Sequence, residues 1–174
     1  MSRARDLRSL GALRLTYPEV GATADPLPPG YHHLDVRRTV GQGRAWFDVA
    51  TARLLAWEVQ RRAGVRVTAA GDVALGARAV LTLGVGPVLV RAPVEVVALT
   101  REAERVGFAY GTLEGHPERG EERFEVTLVG DVVEARIRAF SVPGRWFTRL
   151  AGPVGRGLQQ RMTERYLAAL TAPH

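Results

Sequence analysis

Apolar positions recur along this chain with two periods, and the change between them divides it into elements. From Gly43 to Ala63 the spacing is helical, with Trp46, Val49, Ala50, Leu54 and Trp57 on one stripe and Arg44, Asp48, Glu58, Arg61 and Arg62 elsewhere. Gly64 stands where a helix C-terminus takes a left-handed residue. Elsewhere the period drops to two. Tyr31–Val40 predicts a first strand, and Val65–Ala69, Arg78–Val85, Val88–Leu99, Arg105–Leu113, Glu122–Val129 and Val132–Phe140 predict six more. Their connections are short and rich in Gly, Pro or charge, as an antiparallel meander requires. In the strand Arg105–Leu113 one face carries Val106, Phe108, Tyr110 and Thr112. The other carries only Gly107, Ala109 and Gly111, which leaves room for a ligand or a neighbouring helix to pack closely.

The C-terminal segment repeats every fourth residue through Trp146, Leu150, Val154, Leu158, Met162, Tyr166 and Leu170. That spacing slightly exceeds the helical repeat, so the stripe winds around the helix and suits a twisted, curved partner. Pro153 belongs in a first turn, so a break near Gly152 should precede the main helix. Strand, helical insert, long meander and final helix is the order of a single α+β helix-grip domain over residues 1–174, a curved antiparallel sheet wrapped on a long C-terminal helix. Residues 1–30 form an N-terminal arm and a proline-rich connector, Thr23 to Gly30 (TADPLPPG). Such a sheet and helix enclose a cavity that is mostly apolar with a few polar groups.

With 174 residues and 46% hydrophobic content the chain supports one core, and the absence of cysteine excludes disulfides and thiolate chemistry. Arg14 interrupts the only apolar run near the N-terminus, so no secretory signal is expected. The longest uncharged run, Ala79 to Val90, is too short to span a bilayer, and a cytoplasmic location is expected. The net charge of +6 comes entirely from arginine, with no lysine. Arg136 and Arg138 alternate with Val133, Ala135, Ile137 and Ala139, as on the wet face of a strand. Denser groups occur at Arg3, Arg5, Arg8 and Arg14 and at Arg145, Arg149, Arg156, Arg161 and Arg165. This distribution reads as solvated arginine faces more than as a nucleic-acid surface.

Candidate chemistry concentrates between Tyr110 and Phe124, which holds His116, Glu114, Glu118, Glu121 and Glu122 among three glycines. His116, Glu118, Glu121 and Glu122 are close enough in sequence to approach one ion, with His32 or His33 adding a nitrogen, but the spacing matches no metal motif and no metal or cofactor is expected. His116 beside Glu118 or Glu121 would equally serve acid–base catalysis. Against both, Gly115, Pro117 and Gly120 supply ordinary turn geometry for a soluble hairpin. Ser141 and Thr112 lack the setting of a nucleophile. Strand alternation sends one of His32 and His33 inward and the other outward. Tyr17, before Pro18, would pin the arm, its hydroxyl free to face a pocket, and Trp57 on the insert helix would help close a cavity. Gly41-Gln-Gly43 is too short a glycine motif to mark a phosphate site.

The stretches LTYPEVGAT (Leu15 to Thr23), PPGYHHL (Pro28 to Leu34), FAYGTLEGHPERGEERF (Phe108 to Phe124) and AFSVPG (Ala139 to Gly144), with the C-terminal LAGPV and RYLAAL, resemble Uncharacterised Protein Family 0548 over nearly the whole chain. The resemblance implies a START-like helix-grip fold and carries no established activity with it. The resulting expectation is a binding module for a small, largely apolar molecule, with Tyr17, His33, Trp57, Tyr110, Thr112 and His116 around the cavity. The alternatives are an enzyme using His116, Glu118 and Glu121, or a protein that binds nucleic acid or a partner through its arginines. The oligomeric state stays open.

Overall fold

The computed structural model describes residues 9–85, 88–144 and 152–173. Its strands are β1 (His32–Gln42), β2 (Arg66–Ala69), β3 (Arg78–Val85), β4 (Val88–Arg101), β5 (Arg105–Thr112), β6 (Glu118–Val129) and β7 (Val132–Pro143). Its helices are α1 (Gly43–Leu55), α2 (Glu58–Arg62) and α3 (Gly152–Leu170). The strands make one sheet in the order β1-β7-β6-β5-β4-β3-β2, with every neighbouring pair antiparallel. β2 to β7 thus follow one another as a meander, and α1 with α2 carries the chain from one edge of the sheet to the other.

Alternation along the meander gives the sheet an apolar concave face. Val106, Phe108 and Tyr110 of β5, Phe124, Val126 and Leu128 of β6, and Val133, Ala135 and Ile137 of β7 form one cluster with Leu54, Trp57 and Val59 and with Met162, Tyr166, Leu167 and Leu170 of α3. On α3 the stripe residues Met162, Tyr166 and Leu170 are buried as expected, and Pro153 lies in the first turn. Trp146 and Leu150, and the side chains of Val154 and Leu158, lie outside the described residues.

Three expectations are corrected. The helical stretch from Gly43 breaks after Leu55, where Trp57 takes a left-handed φ of 60°. The left-handed kink accompanies an indole that is 0% exposed and packed on Phe108 and Tyr110, so tertiary packing outweighs helix continuity. Strand β6 begins at Glu118, before the expected Glu122, because backbone pairing with β7 runs on through Gly120 opposite Ser141. Finally, the small-residue row of β5 does not face the C-terminal helix. A Cβ at Gly111 would overlap Tyr17 of the N-terminal arm, and one at Gly107 would overlap the Phe124 carbonyl on β6. The room left by these residues is taken by the chain's own arm and the neighbouring strand. Among the described residues no helix is long and apolar enough to cross a membrane.

Candidate functional site

Alternation along β6 splits the carboxylates of the His116 stretch between the two faces of the sheet. Glu121, 2% exposed, faces the convex side and is the anchor of the N-terminal arm. Its carboxylate accepts hydrogen bonds from the Tyr17 hydroxyl (2.7 Å), the Gly21 N–H (2.7 Å) and the Thr23 N–H (3.1 Å), and also from the Thr23 hydroxyl. Arg123 donates to Thr23 Oγ1 (3.1 Å) and Arg138 to the Thr23 carbonyl (2.7 Å). Burial, then the neighbouring Glu121 charge, pushes the Tyr17 pKa far above its ordinary value. Tyr17 therefore pins the arm and lies on the face away from the helices. His33 is exposed and bonds the Pro28 carbonyl through Nε2 (2.7 Å), which holds the connector.

His116 closes the hairpin between β5 and β6. Its Nδ1 accepts the Glu118 backbone N–H at 2.9 Å and also lies 3.0 Å from the Glu118 carbonyl oxygen, and burial pushes its pKa down to about 4, so the ring is neutral near pH 7. The partner is the backbone of Glu118, not its carboxylate, and Glu121 lies across the sheet. The structure therefore does not assemble His116 with Glu118 and Glu121. His116 does line a shallow groove of about 430 Å³ with Thr16, Glu114 and Arg119. Thr112 is used for structure: its Oγ1 accepts the Gly120 N–H (3.0 Å) and its carbonyl accepts the Thr16 N–H (3.0 Å). Among the described residues no three His, Asp or Glu side chains are placed to hold a metal ion.

A different set converges on the concave face. Tyr110 lies opposite Glu122 in the β5–β6 register, and its hydroxyl donates to Glu122 Oε2. The Tyr166 hydroxyl, brought in by α3, stands next to that of Tyr110. Burial pushes the Glu122 pKa up to about 7; the Tyr110 hydrogen bond opposes that rise and the Glu118 charge adds to it. Burial also raises Glu118, against a hydrogen bond from Ser141 and the nearby His32. His32 and Ser141 are register partners on β1 and β7, so these groups mark one end of the concave face.

Aromatic rings surround the polar core of this set. Trp57 stacks on Tyr110 with centroids 6.4 Å apart and meets Phe108 edge-on at 5.3 Å, while Phe124 meets Tyr166 edge-on at 5.1 Å. Trp57 Nε1 and both amide atoms of Gln60 are buried without a hydrogen-bond partner. Of the residues singled out from sequence, the structure brings Trp57 and Tyr110 together with Glu122; it places Tyr17, His33, Thr112 and His116 elsewhere. Gln60 escaped sequence reasoning, and Tyr166 was marked only as part of the apolar stripe of the C-terminal helix. A signal for the Tyr110–Glu122 pair did exist, because a hairpin folded symmetrically about His116 sets those two residues opposite each other.

Comparison with known proteins adds a family and a fold. A family model described as a domain of unknown function, DUF1990, matches residues 16–169. A UPF0548 protein of Deinococcus radiodurans is 40% identical over 76 residues, 43% of this chain and 38% of that relative. A UPF0548 protein of Dictyostelium discoideum is 37% identical over 65 residues, 33% of this chain and 30% of that relative. The matched stretches thus span well under half the length of these curated relatives. Among solved structures, a hypothetical protein of Helicobacter pylori (jhp0584) superposes with a TM-score of 0.58 at 12% identity, over 91% of this chain and 94% of that one. Ara h 8.0201 superposes with a TM-score of 0.52 at 10% identity, over 81% of this chain and 99% of that one. At such identities the likeness is one of fold, a helix-grip.

Proposed function

The chain belongs to the DUF1990 family of unknown function, and from that premise we propose that it binds a small, largely apolar molecule between the concave face of its sheet and its helices. The observation that carries this reading is the polar content of an otherwise aromatic interior. Trp57, 0% exposed, keeps an indole N–H without a partner, and Gln60, also 0% exposed, keeps a whole amide without one. Each such group costs about 1–3 kcal/mol when left unpaired, a penalty that a bound molecule with a matching polar group relieves. Glu122 and Tyr110 add a hydrogen-bonding end to the same aromatic surroundings. The rings of Trp57, Phe108, Phe124 and Tyr166 meet across this seam, so entry of a ligand requires α3 or Trp57 to shift from the sheet.

A second reading follows from Glu122 itself. A carboxyl whose pKa stands at about 7 and which is bonded to a tyrosine can give and take a proton near neutrality, so an enzymatic role would centre on Glu122 and Tyr110 and not on His116. The nucleic-acid reading has less support, because many arginines are engaged on the surface: Arg136 bonds Asp35 (2.6 Å), Arg78 bonds Glu95 (2.6 Å) and Arg38 bonds Glu164 (2.9 Å).

The test is native mass spectrometry on protein purified without detergent, followed by denaturing release. Binding predicts an organic molecule that survives transfer and appears in the released fraction, and whose occupancy falls in Trp57→Phe, which removes the N–H and keeps an aromatic ring. A bare protein mass that stays bare after incubation with apolar probes such as 1-octanol contradicts the reading.

A further inference from the structure

The chain carries 24 arginines against 18 carboxylates, and several acids of its surface meet them: Asp35 pairs with Arg136 and Arg138, Glu95 with Arg78, Glu134 with Arg37, and Glu102 with Arg105. Even Glu121, sealed beneath the N-terminal arm, has four donors. The two acids of the concave face differ. Glu122 is met by the Tyr110 hydroxyl and Glu118 by that of Ser141, with His32 near Glu118, and among the described residues neither forms an ion pair. The groups facing Glu122 are Tyr110 from β5, Tyr166 from α3 and Glu118 from its own strand, none of them cationic. A buried carboxylate without a counter-charge is strongly disfavoured, and Glu122 has no set of donors like the four that surround Glu121.

The walls complete the picture. Trp57 presents its indole against Tyr110 in the same seam, with an unpartnered N–H, and Phe124 packs on both Tyr110 and Phe108. Carboxylates supply the charge, and tyrosine and tryptophan faces attract cations. Phenylalanine faces accept a hydrocarbon body.

We propose that the molecule taken by this seam is an amphiphilic amine, whose ammonium group pairs with Glu122 and is supported by Glu118, and whose apolar body lies along Phe108 and Phe124. This rests on the reading that the seam binds a small molecule at all. An ammonium pairing with Glu122 supplies the missing counter-charge, and its remaining N–H bonds are within the chemistry of the Tyr110 and Tyr166 hydroxyls.

The experiment is isothermal titration of the full chain at pH 8 with three molecules of equal chain length: n-octylamine, 1-octanol and octanoate. The expected result is an affinity for octylamine about tenfold or more above that for octanol, with octanoate weakest; charged hydrogen bonds are of about that worth. The net charge of +6 works against adventitious capture of the amine by the protein surface. Glu122→Gln should remove most of the preference for the amine over octanol, and Glu118→Gln should remove a smaller part. If octanol or octanoate binds as tightly as octylamine, the amine assignment is overturned while the binding site stands. If none of the three binds, the site itself fails and the amine assignment with it. The comparison of the three probes on the unmodified chain decides the matter even where a variant does not fold.

Discussion

Glu122 and His116 sit on one hairpin and respond to pH in opposite senses. The Glu122 pKa rises from an ordinary 4.5 to about 7 on folding, so between those values the unfolded chain gives up its proton first and stability falls as pH rises. The His116 pKa drops from an ordinary 6.5 to about 4, so between those values the unfolded chain gains a proton first and stability falls as pH falls. The windows overlap, and the two slopes offset each other from about pH 4.5 to 6.5. Single substitutions should separate them. Glu122→Gln is expected to lose stability as pH is lowered through that range, and His116→Gln is expected to lose it as pH is raised, each by up to about 3 kcal/mol. Urea titrations at a series of pH values check this; parallel profiles for the two variants would contradict it. Tyr110→Phe removes the donor to Glu122 and should raise the carboxyl pKa further, which carboxyl chemical shifts report directly.

At the scale of elements, the N-terminal arm is held to the sheet through one carboxylate. Glu121→Ala leaves the Tyr17 hydroxyl, the Gly21 and Thr23 N–H groups and the Thr23 hydroxyl without their acceptor, and should destabilise the protein by about 2–4 kcal/mol. Hydrogen exchange should accelerate across residues 15–24 while β6 and β7 stay protected; uniform acceleration would mean that the arm is part of the global core. Gly111→Ala drives a methyl into Tyr17 and should loosen the same segment. Tyr17 was read as the pin of the arm, but its acceptor was not legible in the sequence, because Glu121 lies about a hundred residues away and the arm carries no period. Strand β3, by contrast, ran Arg78–Val85 as read, since alternation and flanking turns are local. The start of β6 was hidden because Glu-Arg-Gly-Glu looks like a solvated turn, and its pairing is supplied by β7. The break before Trp57 was hidden because that residue fits the helical stripe; only its contacts with Phe108 and Tyr110 show why the backbone turns there. The site divided in the same way. Tyr110 and Trp57 were marked by their place in periodic elements, whereas Tyr166 gained its role only when α3 brought it beside Tyr110.

At the scale of the molecule, a curved antiparallel sheet closed by α3 brings aromatic rings, the Glu122 and Glu118 carboxyls and the unpartnered Trp57 N–H to one face. The arm and connector occupy the opposite face, so the two faces do different work: one braces the sheet, and the other is the proposed place of binding. The measurement that tests this most directly is the indole N–H spectrum of the ¹⁵N-labelled protein during titration with n-octylamine and 1-octanol. Trp46 Nε1 donates to the Leu170 carbonyl (3.1 Å), whereas Trp57 Nε1 is buried without a partner, so the two signals differ in what a ligand in the seam can do to them. The account predicts that the Trp57 signal, assigned by its loss in Trp57→Phe, shifts saturably with ligand while the Trp46 signal moves little. A Trp57 signal that stays fixed while either molecule binds would place binding elsewhere and contradict the account.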